Sequence, residues 1–124
     1  MNATLRRYGP VAVLQVSGRL DQDTCDAFRA ELSKQVEVAA REGSTVVLDL
    51  AGLEYVSSAG LRCFMLASRE AKAREARIFV AELQPMVAEI FEISHFNLVF
   101  QVFGSVAEAL AAVSPEAAAA YARQ

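Results

Sequence analysis

Residues 46–66, VVLDLAGLEYVSSAGLRCFML, decide how this chain folds. The stretch 45–50, TVVLDL, is apolar on both faces except at Asp49, which is typical of a central strand covered on both sides. The segment AGLEYVS predicts a loop, and a helix then begins at Ser57 or Ser58 and runs to about Arg74. Its apolar spacing places an inner face at Leu61, Phe64, Met65 and Ser68.

The segment before this stretch predicts a hairpin and a helix. Residues 11–17, VAVLQVS, indicate a strand, with residues 4–8 as a short partner and Gly9-Pro10 as the turn between them. Asp23 is a suitable N-cap for a helix that ends at Gly43. The residues at helical spacing on its inner face are Phe28, Leu32, Gln35 with Val36, and Ala39.

The segment after it continues the alternation of strands and helices. Residues 77–82 and 98–102 predict strands, separated by a helix that Pro85 opens and on which Val87, Ile90 and Phe91 face inward. Ser105 caps a last helix that runs through Val113. The Ala-rich tail 114–124 has helical propensity but no apolar stripe, so we expect it to project from the domain or fray.

This order of elements predicts an α/β fold. We expect a mixed, mostly parallel sheet of four to five strands with about four helices packed on it. One domain spans residues 1–113, and residues 114–124 form a C-terminal tail.

Composition and charge narrow the class of function. The chain has 124 residues, 54% of them hydrophobic, and a net charge of −3 without any Lys/Arg cluster, so we predict no nucleic-acid partner. No apolar run approaches the ~20 residues of a membrane span, which argues against membrane insertion. With no secretory pattern at the N-terminus, we predict a cytoplasmic protein in which Cys25 and Cys63 are reduced and packed.

The catalytic inventory is poor, and we predict no enzyme activity, no metal and no cofactor. His95 is the single histidine, and its place at the end of the third helix favours an interaction with the helix C-terminus. A hydrolase that used Ser58 would need His95 beside it as the base. No clustered His, Cys or carboxylate ligands stand out as a metal site.

The four residues Ser57-Ser58-Ala59-Gly60 support two interpretations. In the simpler one, Ser57 caps the helix and the small residues let it pack closely on the sheet. In the other, a serine at a helix N-terminus lies where backbone N–H groups favour negative charge, so the domain would tolerate a phosphate there. A partner packed on the same spot would not tolerate it, and such a site can switch binding without unfolding the protein.

At this segment the chain resembles the STAS family, whose small stand-alone members are anti-sigma-factor antagonists. The family pattern is roughly VVLDLSxVxFMDSSGL, and residues 46–50, Ser58, Gly60 and Leu61 match it. Two further blocks agree, VSGRLDQDTCDAFRAEL at 16–32 and PMVAEIFEISHFNLVFQVFGSVAEAL at 85–110. The resemblance thus covers about residues 5–113 in the correct order.

The resemblance implies a function by partner switching. The unphosphorylated form would bind an anti-sigma factor that is also a serine kinase, phosphorylation of Ser58 would end that binding, and a serine phosphatase would reset the switch. Asp21 would lie near Ser58 and help to shape the docking surface. The implied partner-binding residues are Asp21, Ser57, Ser58, Ala59, Gly60, Leu61 and Arg62.

Two departures from the family pattern keep alternatives open. Ser57 replaces the usual Asp, which removes a negative charge beside the acceptor and makes Ser57 a second candidate for phosphorylation. His95 stands where the family often has Gly. The first departure motivates an alternative function, a STAS binding subunit of a transporter or larger signalling assembly with no phosphorylation cycle.

Overall fold

Five strands form one sheet in the order β1-β2-β3-β4-β5. The computed structural model describes residues 1–124. β1 and β2 pair as an antiparallel hairpin, and every later pair of neighbours is parallel. The strands are β1 (Asn2–Tyr8), β2 (Val11–Leu20), β3 (Thr45–Val56), β4 (Arg77–Ala81) and β5 (Gln101–Phe103).

Helices cover both faces of the sheet. They are α1 (Cys25–Glu42), α2 (Ser58–Ala73), α3 (Pro85–Ile93), α4 (Val106–Val113) and α5 (Pro115–Ala122), with a 3-10 turn at Phe96–Leu98. The mixed α/β fold predicted from the sequence is confirmed, with five strands and five helices. None of these helices has both the length and the apolar character needed to cross a membrane.

Alternation along the strands produces two cores. Leu14, Leu48 and Val80 point to the face covered by α1, α2 and α3, where Phe64 contacts Phe28 and Phe91 edge-on. Their neighbours in the strands point to the opposite face, which α4 and α5 cover. Because side chains alternate between the two faces, a buried parallel strand must be apolar at nearly every position.

The central strand is longer than its sequence pattern predicts. We expected a loop from residue 51 onward, but β3 continues to Val56 and stays paired with β2 across two register shifts. A Cβ built at Gly52 would lie 2.7 Å from Cβ of Ser17, so the two strands need glycine there to approach. Leu53 and Val56 are buried in the core beneath α1, α2 and α3. Such burial is expected of a strand and not of a surface loop.

Three other expectations about local structure were wrong. Thr24, not Asp23, is the N-cap residue of α1, and it makes no side-chain capping hydrogen bond. The buried face of α2 is Gly60, Cys63, Phe64, Ala67 and Ala71, while Leu61, Met65 and Ser68 are only partly buried. The last strand is Gln101–Phe103, because Leu98 belongs to the preceding 3-10 turn.

The C-terminal tail does not project from the domain. It forms α5, whose Ala117 is completely buried against the hairpin. Tyr121 meets Tyr8 edge-on with ring centroids 5.1 Å apart, and the Tyr8 hydroxyl donates to Oε1 of Gln124 at 2.7 Å. The alanines lack a stripe of large side chains, but small residues suffice where a helix approaches a sheet this closely.

Candidate partner-binding site

The predicted site residues lie at one end of the sheet. β2 and β3 are parallel and pair Leu20 with Val56, so Asp21 and Ser57 follow neighbouring strand ends. The Ser57 backbone N–H donates to the Leu20 carbonyl at 2.9 Å, which fastens the two chain segments together. The carboxyl ends of parallel strands are where α/β sheets commonly place their binding groups.

The two adjacent serines have different roles. Ser57 is the N-cap of α2 in an extended conformation, and its Oγ accepts from the Gly60 N–H at 3.2 Å. Ser58 is the first residue of the helix and its side chain is exposed. The hydroxyl of Ser57 is therefore engaged in the helix, while that of Ser58 faces solvent.

Gly60 sets how closely α2 approaches the sheet. A Cβ at this position would lie 2.6 Å from the Leu20 carbonyl oxygen and 2.9 Å from Cγ1 of Val56. Gly60 is buried, so it lies beneath the surface of the site. Arg62, two residues after Gly60, is exposed. Ala59 and Leu61, on either side of Gly60 in the sequence, are partly buried.

Asp21 holds the turn that leads from β2 into α1. Its Oδ1 accepts from the N–H of Asp23 at 3.0 Å and of Thr24 at 3.3 Å. An aspartate whose carboxylate accepts from backbone N–H groups two and three residues ahead stabilises a turn through these local hydrogen bonds alone. The carboxylate is thus occupied structurally, with about a third of the side chain left exposed.

Sequence reasoning missed a cation on the same edge. The Arg19 guanidinium lies over the Tyr55 ring at 4.4 Å from its centroid, and its Nε is 3.9 Å from Oδ2 of Asp21. Arg19 and Tyr55 are cross-strand partners in the extended parts of β2 and β3. The alternation of side chains along strands predicts the contact between Arg19 and Tyr55 only if residues 51–56 are taken as a strand.

A groove extends from Ser58 along the outer side of α2. It has a volume of about 470 Å³, and its lining residues include Leu61, Met65, Arg62, Arg69 and Phe96 of the 3-10 turn. The first turn of α2 contains no acidic residue. The surface beside Ser58 therefore combines apolar side chains with positive charge, which suits contact with a protein more than with a small neutral ligand.

His95 occupies a strained backbone position outside the helix. α3 ends at Ile93, and His95 follows in the left-handed region with φ of 62°, its N–H donating to the Glu92 carbonyl at 3.2 Å. Its side chain is exposed. Glycine is the residue that this conformation favours, which gives a physical reason for the Gly that the family pattern often has here. No cluster of three or more His, Cys, Asp or Glu side chains is arranged to hold a metal ion.

The two cysteines are bonded to each other, against our expectation of reduced thiols. Cys25 opens α1, Cys63 lies in the second turn of α2, and their Cα atoms are 6.2 Å apart. That separation is within the range that a disulfide spans. Residues 38 positions apart meet because the two helices begin at neighbouring strand ends.

Comparison with known proteins identifies the family. The family model described as Mlab, STAS domain, matches residues 3–101, which include β1 through the start of β5 and the whole of the Ser58 site. The chain belongs to the STAS domain family. A curated relative, a putative anti-sigma factor antagonist named BtrV from Bordetella bronchiseptica, is 35% identical over 112 residues, covering 90% of this chain and 94% of that protein.

Solved structures share the STAS fold. The anti-sigma factor antagonist SpoIIAA in its unphosphorylated form matches with a TM-score of 0.70 at 20% identity, over 88% of this chain and 93% of that one. The Bacillus SpoIIAA in its phosphorylated form matches with a TM-score of 0.64 at 20% identity, over 90% and 98%. The murine anion transporter Slc26a9 matches with a TM-score of 0.71 at 20% identity, over 82% of this chain but 17% of that protein.

Proposed function

We propose that this STAS domain is an anti-sigma-factor antagonist that acts by partner switching at Ser58. Its unphosphorylated form binds an anti-sigma factor that is also a serine kinase and so releases the target of that factor. Phosphorylation of Ser58 ends the binding, and a serine phosphatase restores it. The single observation that carries the proposal is the exposed Ser58 hydroxyl at the start of α2, in a chain 35% identical to a putative antagonist.

The capping geometry supports Ser58 rather than Ser57 as the acceptor. Phosphorylation of Ser57 would modify the oxygen that accepts the Gly60 N–H, at a side chain that is partly buried. Ser58 has neither constraint. Ser57 also supplies what the usual Asp would supply to the helix, because serine and aspartate are about equally good N-caps.

Charge at the site explains why phosphorylation would switch binding without unfolding the domain. A phosphate adds about −1.5 to −2 charges, and the N-terminus of α2 stabilises negative charge there by about 0.3–1 kcal/mol. The first turn of α2 contains no acidic residue that would repel this charge. In a complex the same charge would be desolvated against the partner, which costs about 2 kcal/mol or more and lowers affinity roughly 30-fold or further.

The test is capture of the cognate kinase by matched variants. Ser58→Ala should bind like the wild type, and Ser58→Asp should lose at least about 30-fold in affinity. Ala111→Asp is the control, because it adds the same charge at an exposed position of α4 on the opposite face of the sheet. Equal affinity of Ser58→Asp and Ala111→Asp would contradict the mechanism.

A second measurement addresses the modification itself. Incubation of the captured kinase with ATP and the wild-type chain should add one phosphate, which fragmentation mass spectrometry should localise to Ser58. Ser57→Ala should still be phosphorylated, and Ser58→Ala should not. A phosphate found on Ser57 instead would transfer the acceptor role to that residue, and no phosphate on either would remove the cycle.

A binding subunit without phosphorylation is the second candidate. The Slc26a9 match favours it, because there the same fold is one part of an anion transporter. The serine at position 57 favours it too, since a kinase that relies on the usual carboxylate would act poorly here. Affinity purification distinguishes the candidates: recovery of a membrane transport protein, with no kinase or phosphatase, would support the subunit function.

A further inference from the structure

We propose that Cys25 and Cys63 are a reversible redox pair whose disulfide fixes the docking surface around Ser58. This inference rests on the proposed function for the role of that surface, while the chemistry of the pair and its tests depend on the geometry of the chain alone. The bond joins the first residue of α1 to the second turn of α2, and both helices begin at the end of the sheet that carries Asp21 and Ser58. Oxidation thus couples the two halves of that surface covalently.

The sulfur of Cys25 also touches the turn that contains Ser58. Its Sγ lies 3.5 Å from the carbonyl oxygen of Ala59, the residue after Ser58. Without the disulfide, the Cys25 thiol donates a weak hydrogen bond to that carbonyl, and packing supplies the rest of the contact on this side. On the other side the first turn of α2 keeps the Ser57 N–H to Leu20 hydrogen bond of 2.9 Å. The disulfide therefore replaces a weak contact at Ala59 by a covalent attachment at Cys63, in the next turn of α2.

The pair is open to reagents from solvent, unlike a buried structural disulfide. A groove of about 330 Å³ reaches both cysteines, and its charged lining residues are Arg29, Arg62 and Asp26. Cys63 is only 2% exposed, whereas Cys25 is partly exposed at the start of α1, so a reagent reaches Cys25 first. Accessible disulfides of this kind are more often labile and regulatory than those in a closed core.

These features assign the order of the chemical steps. The oxidant is a small disulfide such as glutathione disulfide, whose carboxylates match Arg29 and Arg62 and whose ammonium groups match Asp26. The Cys25 thiolate attacks one sulfur of the oxidant, forming a mixed disulfide and releasing one glutathione thiolate. The Cys63 thiolate then attacks the Cys25 sulfur, the protein disulfide forms, and the second glutathione leaves. The two protons of the cysteine thiols end on the two glutathione molecules, and two electrons pass from the protein to the oxidant.

Redox titration of the purified chain tests this proposal without any partner. The wild-type protein is equilibrated in buffers from pure reduced glutathione to pure glutathione disulfide, and free thiols are counted by alkylation and mass spectrometry. We expect complete conversion in both directions while the protein stays folded. Thiols that stay free throughout, or a disulfide that reduced glutathione opens only after unfolding, would overturn it.

The mechanical effect has its own readouts. The oxidised form should melt on the order of 10 °C higher than the reduced form, because the bond closes a loop across 38 positions in a chain of this size. Amide exchange of residues 57–62 should slow by at least about tenfold on oxidation. Equal melting temperatures, or exchange rates that do not change, would refute the mechanical role.

Single-cysteine variants test the order of attack. Cys63→Ala keeps the accessible thiol and should accumulate a mixed disulfide with glutathione at Cys25. Cys25→Ser keeps only the buried thiol and should not be modified at the same rate. The double variant, Cys25→Ser with Cys63→Ala, should melt like the reduced wild type and ignore the redox buffer. Modification of Cys63 in preference to Cys25 would refute the assigned order. Since none of these measurements involves a kinase, their failure and failure of the proposed function are distinguishable.

Discussion

Gly60→Ala is the substitution whose effect follows most directly from the geometry of the site. The added Cβ would lie 2.6 Å from the Leu20 carbonyl oxygen and 2.9 Å from Cγ1 of Val56. Real Cβ atoms essentially never come this close, and a backbone carbonyl in a sheet moves less easily than the end of a long side chain. The first turn of α2 must therefore move away from β2, which strains the Ser57 N–H to Leu20 hydrogen bond.

The magnitude follows from two opposing effects. Forcing extra volume into a packed site costs about 1–3 kcal/mol, whereas replacing glycine by alanine within a helix gains about 0.5–1 kcal/mol. Taken at the middle of each range, about 2 kcal/mol lost against about 0.75 kcal/mol gained, the free energy of unfolding should fall by about 1–1.5 kcal/mol. In a domain of this size that corresponds to a melting temperature about 4–8 °C below the wild type.

Urea unfolding followed by circular dichroism is the assay. The midpoint should fall while the slope stays unchanged, since the same surface is exposed on unfolding. Gly104→Ala is the matched control, because a Cβ there meets only the flexible Glu108 carboxylate, at 3.1 Å, and its stability should stay within about 0.5 kcal/mol of the wild type. A Gly60→Ala protein as stable as the control, or more stable, would refute the close approach of α2 to Leu20.

Three further substitutions test individual contacts by the same unfolding assay. Ser57→Ala should cost about 1 kcal/mol because it removes the oxygen that accepts the Gly60 N–H, and Ser57→Asp should keep most of that stability; equal losses in both would exclude a capping role. His95→Gly should raise stability by about 1 kcal/mol by relieving the left-handed backbone, and a loss would show that the imidazole makes a stabilising contact. Tyr121→Ala should cost about 1–2 kcal/mol through the lost contact with Tyr8 and should speed proteolysis of the C-terminal helix, whereas unchanged proteolysis would mean that α5 is held by its alanines alone.

Local patterns were sufficient for most of the secondary structure. The apolar runs 11–17 and 45–50 indicated buried strands, and the face of α1 was predicted residue by residue, from Phe28 to Ala39. The C-cap at Gly43, with φ of 66°, followed from the tolerance of glycine for left-handed backbone. Such features depend on a residue and its close neighbours in sequence, so they can be predicted from a single sequence.

Features that depend on a neighbouring strand were missed. Residues 51–56 contain Ala51 and Gly52, which are weak strand formers, yet they extend β3 because β2 runs alongside and supplies hydrogen-bond partners. The same extension creates the Arg19 and Tyr55 contact. The buried face of α2 was misplaced for a related reason. A helix this close to a sheet buries its small residues. The spacing of the large apolar residues therefore predicts the wrong face of α2 as the buried one.

The sequence by itself determined that the site begins a helix, because a serine pair followed by Ala59-Gly60 after a buried strand has few other structural interpretations. Tertiary structure decided three things beyond that. It showed that Ser57 is the cap and leaves Ser58 exposed, that Asp21 is engaged in its own turn, and that Cys25 meets Cys63. The first two are local hydrogen bonds whose choice among several candidate groups only the folded backbone settles. The third depends on β2 and β3 ending side by side, because strand pairing joins residues far apart in the chain.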